Sequence, residues 1–260
     1  METTDQNLVS ILLPIHNASK YLKACLESLL AQSYGHLEII AIDDGSTDSS
    51  LKILKFYSRK DKRLKIFKNK KRYGLATSLN RGLKYASGTF FAFMDADDSA
   101  HKDRIQKQVS YLIANPKVAA IGSQCQFVNP LSGQITQSAF PTDHESIAKT
   151  IFAGITMQPE SVMINKTLLP KDFLKFQGTS YRFLPKERRI IYAEALTKIL
   201  SYGQFHNLSD LLYTHKNPET IESLIEHMKL WAKSITIPDY TPSLRSLFSP
   251  LFSSRKPIFQ

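Results

Sequence analysis

The chain has 260 residues, 42% of them hydrophobic and 22% charged, which suits one large globular domain and excludes extended disorder. Two cysteines, Cys25 and Cys125, are too few for a disulfide framework or a zinc site. The net charge of +11 is uneven along the chain and points towards an anionic partner.

The start, METTDQNLVS, has neither a basic n-region nor an apolar core, so no secretory signal is expected. No window approaches the ~18 unbroken apolar residues of a membrane span, so the cytosol is the expected location. "LVSILLP" (8–14) reads as a buried parallel strand. Tyr21, Leu22, Cys25, Leu26, Leu29 and Leu30 then repeat at helical spacing, with Asn17 or Ser19 as N-cap. "LEIIAI" (37–42) is a second strand, closed by the turn "DDGSTD", and Asp48 is expected to cap the helix carrying Leu51 and Leu54. "LKIF" (64–67) is a third strand, and Leu75, Leu79 and Leu83 mark the next helix.

Across this region, from Lys52 to Lys84, lie thirteen Lys or Arg residues and one acid, Asp61. Such a segment binds nucleic acid, an acidic membrane surface or a phosphorylated ligand, or it is a solvated helix face. Aromatic residues are not interleaved as a base-stacking platform, which ranks nucleic acid below phosphate or membrane.

"TFFAFM" (89–94) is a fourth strand that runs straight into Asp95, Asp97 and Asp98. Ile105, Val109, Leu112 and Ile113 mark the helix that follows, and a strand is expected over 118–122. The second half is less regular. Thr142 and Glu145 suggest a capping box for a helix over 143–152, and "SVMI" (161–164) suggests a strand. Helices are expected over 188–202, stopped by Gly203, and over 218–232. The tail from Ile237 holds four prolines, with Leu and Phe beside Arg245, Arg255 and Lys256, a composition that can rest on a membrane, pack on the domain or stay disordered.

Strands alternating with helices imply right-handed crossovers and a mainly parallel α/β sheet flanked by helices. Ligands of such sheets gather at the carboxyl ends of the strands. There the sequence puts His16 and Asn17, Asp43 and Asp44, the loop 69–74, and Asp95 to Asp98. Carboxylates on a turn after a buried strand are hard oxygen ligands for Mg²⁺ or Mn²⁺, although acids also favour a helix N-terminus. No G-x-G-x-x-G follows the first strand, which disfavours a dinucleotide-binding oxidoreductase.

"VSILLPIHNASKYLKACLESLLAQSYGHLEIIAIDDGSTDSS" and "NKKRYGLATSLNRGLKYASGTFFAFMDADDSAHKDRIQKQV" together resemble the start of a family 2 glycosyltransferase of the GT-A fold. The resemblance spans residues 8 to about 129. It implies transfer of a sugar from a nucleotide diphosphate sugar, usually a UDP-sugar, to an acceptor hydroxyl with inversion. The acceptor would be a carbohydrate or lipid-linked intermediate of cell-surface polysaccharide or glycolipid synthesis, reached by a peripheral contact on the inner membrane face.

Residue by residue, Pro14 to Asn17 match the loop beneath the nucleobase, with His16 where the family usually has tyrosine. Asp43 and Asp44 match the acids that contact uridine. Asp95 and Asp97 match the D-x-D pair on the ribose and the metal (Mn²⁺ or Mg²⁺), and Arg72 and Arg81 lie in the segment that closes over the nucleotide. The family's acidic pair, about a dozen residues before a glycine like Gly203, is not matched: a gapless count gives Ile191 and Tyr192. Glu194 and Glu187 are the candidate general bases. Glu194 has a plainer reading as an i, i+4 ion pair with Lys198, and a protein that binds nucleotide sugar or a partner without turnover is the alternative.

By this reading residues 1–130 form the nucleotide-sugar-binding half, 131–216 the acceptor half of the same domain, and 217–260 a C-terminal helix and tail.

Overall fold

The computed structural model describes residues 7–129, 132–150, 156–177 and 187–216. The strands β1 (Val9–Ile15), β2 (Leu37–Asp43), β3 (Leu64–Lys68) and β4 (Phe90–Phe93) are linked by α1 (Leu22–Leu30), α2 (Ser50–Lys60) and α3 (Leu75–Tyr85). These four strands run parallel in the order β3-β2-β1-β4, with β3 at the edge. There follow β5 (Ser99–Ala100), α4 (Arg104–Ala114), β6 (Val118–Val128), β7 (Ile135–Gln137) and α5 (His144–Thr150). Then come β8 (Met163–Asn165), α6 (Glu187–Ile199) and β9 (Gln204–His215). The sheet continues past β4 as β8-β6-β9-β5, with β7 also paired to β6. β8 runs antiparallel to both neighbours, and β9 runs parallel to β6.

Successive side chains of a strand face opposite sides of the sheet, so each buried strand feeds two cores. Ile11, Leu13, Ile39 and Ala41 pack with Cys25, Leu26 and Leu29 of α1, Leu54 of α2 and Ile105 of α4. Leu12, Ile40 and Ile42 pack on the other face with Leu79 of α3 and Ile191, Tyr192 and Ile199 of α6. Coverage on both faces explains why "ILL" (11–13) and "IIAI" (39–42) are continuously apolar rather than alternating.

Several local expectations change. Neither Asn17 nor Ser19 caps α1: Tyr21 holds that position without a side-chain bond. Asn17, at φ 50°, instead accepts hydrogen bonds from the Thr47 N–H (2.8 Å) and Asp48 N–H (3.4 Å) of the neighbouring turn. Asp143, not Thr142, caps α5 by accepting from the Ser146 N–H at 2.8 Å. Ile113 is 55% exposed, because the inner face of α4 is completed by Gln108. Residues 159–161 form a 3-10 turn, so the strand begins at Met163. The strand expected over 118–122 extends to Val128, and β9 is a twelve-residue strand for which the sequence reading made no assignment. The expected helix over 218–232 and the tail lie outside the described residues.

Candidate functional site

The carboxyl ends of β1, β2, β3 and β4 share one edge because the strands are parallel. At β1, Pro14 and His16 precede the exposed Asn17, and His16 Nδ1 donates to the Asp44 carbonyl at 2.9 Å. At β2, the two acids differ. Asp44 accepts from Asn69 Nδ2 (2.6 Å) and from the Tyr73 (2.9 Å) and Gly74 (2.8 Å) N–H groups, which anchors the loop after β3. Asp43 is fully buried: its Oδ1 accepts from the Ser46 N–H at 3.3 Å, while Oδ2 has no hydrogen-bond partner among the described residues. Gly45, at φ 66°, lies under the Lys71–Arg72 peptide, and a Cβ there would sit 2.6 Å from the Lys71 carbonyl carbon. Only glycine fits that crossing.

In that loop Arg72 is exposed, whereas Arg81 donates to the Lys68 carbonyl at 2.7 Å and to Asn69 Oδ1. Asp48 accepts from the Ser50 and Ser19 N–H groups, both at 2.9 Å, so it ties the turn to the β1 loop. Burial works against its charge, but those bonds hold its carboxyl well below the usual range.

At the end of β4, one oxygen each of Asp95, Asp97 and Asp98 lies within 4.8 Å of the others. Asp98 is fully buried and accepts three bonds: Tyr213 Oη (2.7 Å), His215 Nδ1 (2.7 Å) and the Lys216 N–H (2.9 Å). Burial alone would lower the His215 pKa, but its bond to Asp98 and the charges of Asp98, Glu160 and Asp95 raise it to about 9. The crowded acids therefore have a cation of the protein's own at neutral pH. A second lies behind them. Arg104 is fully buried, donates to the Phe93 (2.9 Å) and Glu160 (3.3 Å) carbonyls, and stacks over Tyr213 at 5.2 Å.

With Asp98 held by β9, Asp95 and Asp97 are the carboxylates suited to a metal. Their hard oxygens, close together at a strand end, fit Mg²⁺ or Mn²⁺. Tyr213, His215 and Arg104 are the contributors that sequence reasoning missed. They lie more than a hundred residues from, or behind, the motif they support, and no spacing rule joins them.

On the other side of β4, Tyr192 is buried at 5.2 Å from the Phe93 ring and 5.9 Å from Phe176. Glu194 is 7% exposed and lies 3.2 Å from Lys198 Nζ, as the i, i+4 reading expects. Glu187 opens α6, and its side chain lies outside those described. Glu160, 3% exposed in the turn before β8, accepts from Gln158 Nε2 at 2.5 Å. Its charge reaches His215 and Tyr213.

The chain is 32% identical over 234 residues to an uncharacterized glycosyltransferase of Haemophilus influenzae, covering 84% of this chain and 72% of that one. It is 38% identical over 112 residues to the Escherichia coli UDP-Glc:alpha-D-GlcNAc-diphosphoundecaprenol beta-1,3-glucosyltransferase WfgD, covering 43% of each. The chain thus spans less than half of that relative's length. Its fold matches S. aureus TarS 1-349, solved with UDP-GlcNAc, at a TM-score of 0.71 and 20% identity over 95% of this chain and 72% of that one. This is the GT-A fold. The model of the family described as "Glycosyl transferase family 2" matches residues 10–156, from β1 through the acidic cluster, and the chain belongs to that family.

Proposed function

We propose that this chain transfers a sugar from a nucleotide diphosphate sugar, of the uridine type, to an acceptor hydroxyl with inversion. The acceptor is a lipid-linked or carbohydrate intermediate of cell-surface polysaccharide or glycolipid synthesis. The names of WfgD, with its UDP-Glc donor and diphosphoundecaprenol-linked acceptor, and of TarS with UDP-GlcNAc support this reading. One observation carries it: an acidic cluster with ligand oxygens within 4.8 Å at the end of β4, on the same edge as the unpartnered, buried Oδ2 of Asp43.

In this reading Asp43 Oδ2 accepts an N–H of the base. His16, its ring fixed by the Asp44 carbonyl, lies against that base above the Pro14–Asn17 loop. Asp44 holds the 69–74 loop in place, so that Arg72 closes over the nucleotide, and Arg81 supports the base of that loop. Asp95 binds the ribose. Asp95 and Asp97 would hold Mn²⁺ or Mg²⁺, which would supply Lewis-acid stabilisation of negative charge on a diphosphate leaving group. A carboxylate on the opposite side of the sugar takes the acceptor's proton. Glu194 and Glu187 are our candidates for that base.

Thermal-shift titration with UDP, GDP, ADP and CDP, each with and without Mn²⁺, tests the donor site. A ligand at a hundredfold excess over its dissociation constant stabilises the native state by about 2.7 kcal/mol. A Mn²⁺-dependent shift with UDP is expected, and Asp97→Asn should abolish the metal dependence. Absence of any nucleotide shift would sink the proposal.

A second reading, a relative that binds nucleotide sugar without turnover, is favoured by the burial of Ile191 and Tyr192 where the family has acids, and by the pairing of Glu194 with Lys198. Glu187→Gln and Glu194→Gln separate the two. Loss of turnover with donor binding intact in either variant identifies the base and removes the silent reading.

A further inference from the structure

The free edge of the sheet carries most of the unbalanced charge. Of the thirteen cations between Lys52 and Lys84, eleven are exposed. Among the described residues, only Lys65 of these eleven has a carboxylate within 4.0 Å, that of Glu38. The segment's one acid, Asp61, is bound to Arg63 at 2.8 Å. The charge follows α2 on one face of the sheet, edge strand β3, and the 69–74 loop into α3 on the other face.

Exposed aromatic residues share this edge. Phe56 is 52% exposed with Lys60 Nζ 4.1 Å from its ring, and Tyr73 is 47% exposed with Lys71 Nζ 5.7 Å away. On α2 a shallow cleft combines the apolar Leu51 and Phe56 with Lys52, Lys55 and Arg59.

We propose that this edge docks the protein on an anionic lipid bilayer. Lysine and arginine around half-exposed rings are the chemistry that binds a membrane interface: the rings enter the headgroup layer while the cations meet lipid phosphates. A nucleic acid would also meet the charge, but the rings lie under lysines on separate elements and offer no continuous stacking surface. The 69–74 loop joins this edge to the donor site through Asp44, so docking holds the mouth of the site beside the bilayer. The inference rests on the reading of the site as one for a membrane-borne acceptor. It also reduces the search for that acceptor to two dimensions.

The test is co-sedimentation of the full chain with vesicles of phosphatidylcholine alone, or containing about 30% phosphatidylglycerol, at about 0.1 M salt. Each basic residue near such a surface strengthens binding about fivefold. The triple variant Lys52→Gln, Lys55→Gln, Arg59→Gln should therefore bind the anionic vesicles about a hundredfold more weakly than wild type, and Phe56→Ser should weaken binding with all cations kept. None of these residues belongs to the proposed donor site, so UDP-dependent thermal shifts should persist in both variants and also show that they fold. The proposal is overturned if wild type ignores anionic vesicles, binds both kinds equally, or prefers a random DNA duplex. It is also overturned if both variants bind like wild type, which would transfer the contact to another part of the chain. A nucleotide shift without vesicle binding leaves the transferase reading standing and removes only the docking edge.

Discussion

A guanidinium taken out of water costs several kcal/mol unless its hydrogen bonds are replaced. Arg104 replaces them with the Phe93 and Glu160 carbonyls, Gln108 Oε1 at 3.3 Å and the ring of Tyr213. Burial lowers its pKa, opposed by Tyr213, Cys125, Cys25 and Asp98, and the side chain remains a cation at neutral pH. It joins the strand that delivers Asp95 to the turn that delivers Glu160. Gln108 extends the bridge by donating to the Ile121 (3.1 Å) and Ser161 (2.8 Å) carbonyls. Methionine fits the volume but leaves two buried carbonyls without donors. Arg104→Met should therefore destabilise the fold by about 2–6 kcal/mol, at roughly 1–3 kcal/mol per stranded group. Urea unfolding measures this, and a loss under about 1 kcal/mol would show that the bridge is not a support.

Among the elements, β2 ties its neighbours together at the amino-terminal edge of the sheet as well as at the site edge. Glu38, 3% exposed, accepts from Ser10 Oγ (2.6 Å) on β1, Lys65 Nζ (2.6 Å) on β3, and the Ser87 N–H (2.8 Å) and hydroxyl (2.9 Å) ahead of β4. Burial works to raise its pKa, but the bonds from Lys65, Ser10 and Ser87 outweigh it and lower the value from 4.5. A carboxylate depressed in the folded state adds stability at neutral pH, which is lost as pH falls through the folded value. Glu38→Gln should thus cost about 1–3 kcal/mol at neutral pH and less at an acid pH below the lowered folded value, where the wild-type carboxyl is protonated as well. Equal losses at both pH values, in urea unfolding, would contradict this.

The strands and helices around Glu38 were legible in sequence because apolar runs and turn residues mark them without tertiary help. β9 was not. Its pairing with β6 carries register shifts at Ser123 and Gln124, which break the alternation that identifies a strand. The acids after β2 and β4 were likewise legible as motifs, but not that Asp44 and Asp98 are held by the protein itself while Asp43 keeps an open oxygen. That division depends on which distant donors the fold brings near.

For the whole molecule, the second half of the chain is threaded through the first. β6 lies between β8 and β9, and β9 in turn pairs with β5, so strands from both halves alternate in one sheet. Val118, Ile121, Cys125 and Phe127 share a core with Tyr213 and Met163 as well as with α1. A fragment ending at residue 130 would lose β8 and β9 from the sheet, expose the β6 part of that core to water and remove every described side-chain partner of Asp98. Apolar surface returned to water costs about 25 cal/mol per Å², against a typical domain stability of about 5–15 kcal/mol. Residues 1–130 alone should therefore show no cooperative unfolding transition and no UDP–Mn²⁺ shift, although every motif of the donor site lies within them. A fragment that melts cooperatively and binds UDP with Mn²⁺ would instead make the donor half an independent domain, with Tyr213 and His215 dispensable for holding Asp98. The full chain should unfold in one transition by near- and far-UV circular dichroism, because the two cores share the sheet between them.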